Sequence, residues 1–367
     1  MTFTASTDRH SARMAVYEDV SAALSGLSDA ELRELVVTAR PVGRGIGGQT
    51  ALADVGGHRV FVKQIPVTDE ELQAGNVGST ANLFDLPTFY QYGLGSAGFG
   101  AWRELAVHTM TTGWVRSGDY DGFPLTYHAR VLSDLPRADV APEGQFLTID
   151  WFTERWDGSP AVRARLDALE QAPSYAVVLL EYIPQTLEEW ITDCYKSGDT
   201  ALDSALSAAA TALEEGIAFM GSRGLEHFDA HRSNILTDGT RVYFADFGLA
   251  LSSEFDLSPA ESEFFTDHAD YDWMLTMAEL VNGIGAAVRG PGEFAAFALD
   301  YATAGARGNG NPDLLPSGAL EVVRKYAPAA AQLNGFLRGL IQGSKSTPYP
   351  AEDFRRTRAA ASSATAR

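Results

Sequence analysis

The feature that most constrains this chain is a pair of short polar segments near its middle. The first is His227-Phe228-Asp229-Ala230-His231-Arg232-Ser233-Asn234, and Asp246-Phe247-Gly248 begins twelve residues after its last member. Apolar residues lie between them, which predicts two loops joined by short strands. The loops place a carboxylate, an amide and a second carboxylate at fixed offsets. Such groups can orient a hydroxyl and ligate Mg²⁺, the two things that phosphoryl transfer requires.

Composition predicts a soluble protein of the reducing cytoplasm. The 367 residues are 45% hydrophobic, which is enough for a large core. A single cysteine, Cys194, excludes an internal disulfide. No apolar run reaches membrane-spanning length, and residues 1–13 lack the apolar core of a signal peptide. The net charge of −20 argues against nucleic acid and anionic membranes as partners.

Negative charge is concentrated after the second polar segment. There is no Lys or Arg from Val242 through Val288. Seven carboxylates crowd part of this stretch: Glu254, Asp256, Glu261, Glu263, Asp267, Asp270 and Asp272. Such a field would attract a cationic acceptor, such as a basic peptide, a basic protein or an aminoglycoside. Solvation of a surface loop accounts for the same acids without any partner.

Hydrophobic periodicity predicts strands early in the chain and helices late. Residues 50–55 and 58–63 read as strands joined by the turn Gly56-Gly57, and residues 175–181 read as a buried strand. Apolar residues at helical spacing then recur from Leu202 to Met220, and further helices fill residues 271–343. We therefore predict an α+β fold.

Two further elements precede the polar segments. Gly43-Arg44-Gly45-Ile46-Gly47-Gly48 satisfies G-x-G-x-x-G, a weak signal in a chain with 35 glycines. A dinucleotide-binding site would need a helix after it, whereas a strand, a turn and a strand follow here. Lys63 lies twenty residues after Gly43, at the end of the second of these strands. Backbone N–H groups of a glycine-rich loop such as residues 43–48 can close over phosphates.

In this order and spacing, the four elements resemble the protein-kinase-like superfamily. The pattern is similar to bacterial atypical Ser/Thr protein kinases and to aminoglycoside phosphotransferases. The resemblance implies a two-lobed fold with a small β-rich N-lobe and a large helical C-lobe. It also implies ATP and Mg²⁺ as cofactors.

The resemblance assigns the nucleotide-binding residues. Gly43, Gly45 and Gly48 would close over the phosphates. Lys63 would bind the α- and β-phosphates, with Glu104 as its expected acidic partner and Glu70 and Glu71 as rivals. The backbone of Glu181 and Ile183 would pair with the adenine edge.

It also assigns the catalytic and metal-binding residues. Asp229 would orient the attacking hydroxyl and accept its proton late in the transfer. Asn234 and Asp246 would hold Mg²⁺. His231 stands where protein kinases place a lysine, either near the phosphate or as a neutral imidazole that ties down the loop.

The implied domains follow the two-lobed order. Residues 1–40 would form an N-terminal helical extension, disordered up to about residue 12. Residues 41–183 would form the N-lobe, with insertions near 69–100, called the flap below, and near 133–173. Residues 184–350 would form the helical C-lobe, and 351–367 a disordered tail.

Departures from regulated protein kinases leave the acceptor open. Phe228 replaces the arginine that precedes the catalytic aspartate, and no A-P-E follows Asp246. Regulation by phosphorylation of the segment after Asp246 is therefore not expected. A protein or peptide Ser/Thr is the favoured acceptor. The alternatives are a small-molecule kinase of the aminoglycoside type and a nucleotide-binding pseudokinase that acts as a scaffold.

Overall fold

A computed structural model describes residues 7–45, 48–136, 148–197, 202–304 and 315–365. The chain divides into two compact units. The sheet unit comprises Ala5–Tyr182 and Phe247–Ser262, and the loop unit contains Ile183–Asp246 and Glu263–Arg367. The α+β class predicted from the sequence is confirmed, because a five-stranded antiparallel sheet is combined with many helices.

The sheet unit contains the first five strands and the first six helices. The strands are β1 Arg40–Gly45, β2 Gly48–Val55, β3 His58–Val67, β4 Thr126–Ser133 and β5 Ser174–Glu181. The helices are α1 Thr7–Ser25, α2 Asp29–Thr38, α3 Asp69–Leu72, α4 Ala101–Ser117, α5 Ile149–Arg155 and α6 Pro160–Glu170. The strand order is β1-β2-β3-β5-β4.

β5 lies between β3 and β4 in this sheet. Its residues from Ser174 to Leu180 are all buried, as expected for a continuous apolar strand that is covered on both faces. It pairs antiparallel with β3, and Lys63 stands opposite Val178. Ala101 of α4 packs on this sheet against side chains of β3 and β5. The sheet therefore fixes α4 next to the strand that carries Lys63.

The remaining elements follow in chain order. The strands are β6 Gln185–Thr186, β7 Leu225–Glu226, β8 Ile235–Thr237, β9 Val242–Phe244 and β10 Leu251–Ser252. The helices are α7 Leu187–Ser197, α8 Leu202–Ser222, α9 Pro259–Asp267, α10 Tyr271–Arg289, α11 Phe294–Ala304, α12 Ser317–Gln342 and α13 Ala351–Thr365. β6, β8 and β9 form a three-stranded antiparallel sheet.

Helix α10 is the core of the loop unit. It is buried along almost its whole length from Tyr271 to Gly285, and α7, α8, α11 and α12 pack around it. Gly285 allows the close approach of α11, since a Cβ there would lie 2.7 Å from the ring of Phe297. The loops that carry the polar segments therefore rest on a rigid helical base.

Two segments that the sequence analysis treats as disordered contain helix. α1 begins at Thr7, and α13 spans Ala351–Thr365. The tail is rich in Ala and Ser, but it contains one large aromatic side chain that packs in the core. Phe354 is 1% exposed and packs edge-on against Phe336 and Tyr349. In the insertion near 133–173, residues 137–147 lie outside the described residues, and α5 and α6 form the larger part of the rest.

Replacing Phe354 with alanine tests whether α13 belongs to the folded core. We expect the free energy of unfolding to fall by about 3–5 kcal/mol, because the truncation loses buried apolar surface and leaves a cavity. Arg355→Ala, at the adjacent exposed position, should change it by about 0.5 kcal/mol or less. Denaturant unfolding measures both. Equal effects of the two changes would show that α13 adds nothing to the fold.

Candidate active site

Lys63 and Glu104 form a buried ion pair in the sheet unit. Lys63 Nζ lies 2.5 Å from Glu104 Oε1, and both side chains are less than a tenth exposed. The rival acid Glu71 is instead bound to Arg165. A buried ammonium needs a partner of this kind, because an unpaired buried charge is strongly destabilising. The pair links β3 to α4.

The glycine-rich segment is a hairpin of β1 and β2. Gly45 stands opposite Gly48, and the tip residues Ile46 and Gly47 lie outside the described residues. Gly48 has a φ of +142°, and a Cβ there would lie 2.1 Å from the carbonyl oxygen of Gln64. The sheet alone therefore requires glycine at position 48. No such clash is found at Gly43.

Glu181 and Ile183, whose main chains were predicted to pair with adenine, differ in how far the fold already uses them. The N–H of Glu181 donates to the carbonyl of Leu125 at 2.8 Å, and its carboxylate binds Arg13 of α1. The N–H of Glu181 is therefore used by the fold, and the pairing of the Glu181 backbone with an adenine edge stays a prediction. Among the described residues, no hydrogen bond is found to the main chain of Ile183.

Asp229 and Asn234 are joined within the loop unit. The side-chain Nδ2 of Asn234 donates to Asp229 Oδ2 at 2.9 Å and to the Asp229 carbonyl at 3.0 Å. These two bonds use the N–H groups of the amide. Its Oδ1 is therefore the atom that can face a cation. The five-residue spacing thus closes a loop that fixes the carboxylate.

His227 connects this loop to the one that carries Asp246. Its Nε2 bonds to the carbonyl of Ala245 at 3.0 Å, and its Nδ1 accepts from the N–H of Asp229 at 3.3 Å. Burial lowers the pKa of His227, which favours the neutral ring with its proton on Nε2. The N–H of Ala245 in turn donates to the carbonyl of Asn234 at 3.0 Å.

Asp272 is a site residue that the sequence analysis does not identify. Its carboxylate accepts from the N–H of His227 and, at 2.8 Å, from the N–H of Phe228. One turn further along α10, the hydroxyl of Thr276 donates to the carbonyl of Ala230 at 3.2 Å. The signal in the sequence is an acid and a hydroxyl four residues apart on a largely apolar helix.

A second carboxyl group lies next to Asp272. Burial, and then the charge of Asp272, raise the pKa of Glu226 well above its ordinary value. The two side chains are hydrogen-bonded, and Glu226 is 7% exposed. A raised pKa favours the protonated Glu226, which can donate to Asp272 and leave that carboxylate to accept from the loop.

The acidic stretch is less uniform than the sequence suggests. Glu261 and Asp272 are buried, the first in an ion pair with Arg103 and the second beneath the loop. Asp270 is half-buried beside Arg358. Four of the seven carboxylates are exposed: Glu254, Asp256, Glu263 and Asp267. Burial and internal partners therefore reduce the exposed members of the stretch to four, and attraction of a cationic acceptor stays a prediction.

Phe228 occupies an aromatic cluster. It is fully buried, and its ring centroid lies 5.5 Å from that of Phe264 and 5.3 Å from that of Tyr271. His268 stacks on Phe264 in the same cluster, and burial lowers its pKa to about 4. An apolar pocket of neutral rings cannot bind a phosphate. Phe228 and Asp246 also have positive φ, +58° and +64°, so both loops contain backbone strain.

His231 has a neutral, structural environment. Its Nδ1 accepts from the N–H of Ser233 at 3.2 Å, and its Nε2 lies 3.8 Å from Asp229 Oδ1. Burial lowers the pKa of His231, so the ring is uncharged at neutral pH. This geometry matches an imidazole that ties down the loop and supplies no cation.

The donor set fits Mg²⁺ better than a transition metal. Among the described residues, no three His, Cys, Asp or Glu side chains group as a metal site. Asn234 Oδ1 and the exposed carboxylate of Asp246 offer hard oxygen donor atoms. Mg²⁺ is commonly held by one or two carboxylates, with substrate phosphates and water filling the other positions.

No family model matches the chain, and no curated protein is similar to it. None of the helices in the described ranges has both the length and the apolar content that a bilayer crossing requires.

Asp272→Ala tests the support of the loop. We expect the free energy of unfolding to fall by roughly 2–6 kcal/mol, because two buried N–H groups lose their acceptor at about 1–3 kcal/mol each. Asp270→Ala is the matched control, since its partly exposed pair with Arg358 contributes about 0–1 kcal/mol. If both variants unfold at the same denaturant concentration, Asp272 does not hold the loop.

Proposed function

We propose that this protein is an ATP- and Mg²⁺-dependent phosphotransferase that moves the γ-phosphate to an acceptor hydroxyl in the cytoplasm. One observation carries the proposal: the Asn234 amide is bonded to the Asp229 carboxylate, and His227 ties the same loop to Ala245, next to Asp246. A turn or cap role would not require this arrangement of three polar residues. Phosphoryl transfer does, because its catalysis consists mainly of positioning and charge stabilisation.

The residues then have separate roles. Asp229 orients the acceptor hydroxyl and accepts its proton as the bond to phosphorus forms. Asn234 and Asp246 would hold Mg²⁺, which supplies positive charge to the phosphate oxygens when it is bound. Lys63, held by Glu104, binds the α- and β-phosphates. His231 maintains the loop as a neutral imidazole.

A two-lobed kinase-like fold is part of the proposal. It is supported by the content of each unit taken separately. The sheet unit has a five-stranded antiparallel sheet that carries Lys63, with Glu104 on the helix beside it. The loop unit is helical and carries Asp229, Asn234 and Asp246. Gly43, Gly45, Gly48 and the main chains of Glu181 and Ile183 remain the proposed contacts to the nucleotide.

The favoured acceptor is a Ser or Thr hydroxyl of a basic protein or peptide. The four exposed carboxylates, Glu254, Asp256, Glu263 and Asp267, support a cationic acceptor. An aminoglycoside fits the same charge, so charge does not separate these two acceptor classes. A pseudokinase scaffold is disfavoured, because Lys63, Asp229, Asn234 and Asp246 are all intact.

Nucleotide binding is the first test. Mg-ATP should raise the melting temperature, since a ligand present at 100 times its Kd stabilises by about 2.7 kcal/mol. Lys63→Ala and Asp246→Asn should each reduce the shift, because they remove a phosphate contact and a metal ligand. Lys196→Ala, an exposed cation at the end of α7, is the matched control and should retain the full shift.

The same experiment can overturn the proposal. A folded wild-type protein that shows no shift at millimolar Mg-ATP does not bind the nucleotide. If binding is found, γ-labelled ATP, offered with a histone and with an aminoglycoside in parallel, identifies the acceptor class. If neither the histone nor the aminoglycoside is labelled, and no component of a cell extract is labelled either, the pseudokinase alternative remains.

A further inference from the structure

The flap packs against the chain that follows Asp246. Three contacts within the sheet unit define this interface. Gln91 Nε2 donates to the carbonyl of Leu249, Thr80 Oγ1 accepts from the N–H of Asp256 at 2.9 Å, and a Cβ on Gly98 would lie 2.5 Å from the Gly248 carbonyl. Gln91 is 2% exposed, so its amide is enclosed. The flap therefore binds main-chain atoms, which do not depend on the side chains of the segment.

Arg103 adds a charged link between the flap, α4 and the same segment. Its Nε donates to the carbonyl of Thr80 at 2.6 Å, and its Nη2 lies 2.7 Å from Glu261 Oε1. Its guanidinium also lies over the rings of Phe99 and Phe255, at 5.0 and 5.5 Å. Arg103 and Glu261 are each about 3% exposed at the side chain, so this ion pair is buried.

The flap is also bound to α4 and to the second insertion, residues 133–173. Glu71 Oε1 accepts from the N–H of Ala101 at 2.7 Å, and its other oxygen lies 2.9 Å from Arg165 of α6. The ring of Tyr90 packs edge-on against Trp156, with centroids 4.6 Å apart. The second insertion thus supports the flap, and the flap caps the first turn of α4, the helix that carries Glu104.

The anchored segment begins directly after a strained residue. Phe247 is 1% exposed and packs edge-on against His108 of α4, with ring centroids 5.3 Å apart. Asp246 precedes it with a φ of +64°. Such a conformation persists only where the surrounding structure restrains the backbone. Contacts at Phe247, Gly248 and Leu249 supply that restraint on one side of Asp246.

We infer that the flap is a built-in clamp that keeps residues 247–261 in the arrangement needed for phosphotransfer, with Thr80, Gln91 and Arg103 as positioning residues. This inference rests on the proposed function. The Glu261 carboxylate already pairs with Arg103, which is the kind of link that an added phosphate would make with an arginine. The protein therefore works without phosphorylation of this segment.

Two single-residue variants test the clamp. Thr80→Val is nearly isosteric and removes the acceptor of the Asp256 N–H, and Gln91→Ala removes the donor to Leu249. Thr109→Val and Gln73→Ala are matched controls, because these residues bond only locally, to Leu105 and to Glu70. Hydrogen exchange of peptides from 247–261 and steady-state kinetics of phosphatase-treated protein, with the acceptor identified by the labelling experiment, are the two measurements.

We expect exchange in 247–261 to accelerate by roughly tenfold in each clamp variant, the equivalent of one lost hydrogen bond. kcat should fall by a similar factor, while the KM for ATP stays within about twofold, since Lys63 is untouched. The control variants should match the wild type. A KM effect without a kcat effect would indicate a different role and would overturn the inference.

Other outcomes separate the inference from the proposed function. Unchanged exchange in both clamp variants would overturn the clamp while Mg-ATP binding and turnover stand. Wild-type protein that gains activity only after phosphorylation between Ser252 and Ser262 would also overturn it. Absence of any Mg-ATP shift or turnover in the wild type would overturn the proposed function and the inference together.

Discussion

Asp272 accepts hydrogen bonds from two consecutive backbone N–H groups at the start of the loop that carries Asp229. Without this acceptor the two buried N–H groups would be unpaired, and the strained backbone at Phe228 would relax. His227 can then orient its ring toward Ala245, which sets the position of the residue before Asp246. One buried carboxylate on a rigid helix thus organises both polar loops.

In the sheet unit, α4 has the corresponding role. Glu104, Arg103 and the N–H of Ala101 bind respectively to Lys63, Glu261 and Glu71, all through buried groups. Breaking a buried ion pair costs more than the pair contributes, because the remaining charge is left without a partner. Several such links on one helix therefore favour a single position of α4. Each unit therefore holds its polar groups through buried contacts, and Phe228 and Asp246 in the two loops have a strained backbone.

The sequence predicts contacts that depend on local spacing and misses those that depend on the fold. The hairpin of β2 and β3 follows from the Gly56-Gly57 turn, and the five-residue offset places Asp229 and Asn234 in one loop. Lys63 and Glu104 are 41 residues apart, yet the motif order singles out the acid. The flap is bound to residues about 160 positions later, and no local pattern indicates this. Glu261 and Asp272 also read as surface charges in the sequence, whereas in the fold both are buried and bind internal partners.

The central claim is that Asp229 acts on the acceptor hydroxyl and not in nucleotide binding. Single-turnover transfer of labelled γ-phosphate to the identified acceptor, compared between wild type and Asp229→Asn, measures this directly. The account predicts that the variant binds Mg-ATP with nearly wild-type affinity but transfers phosphate slower by about 10²–10⁴-fold, the usual contribution of a positioned general base. Wild-type transfer by Asp229→Asn, or loss of Mg-ATP binding equal to its loss of transfer, would contradict it.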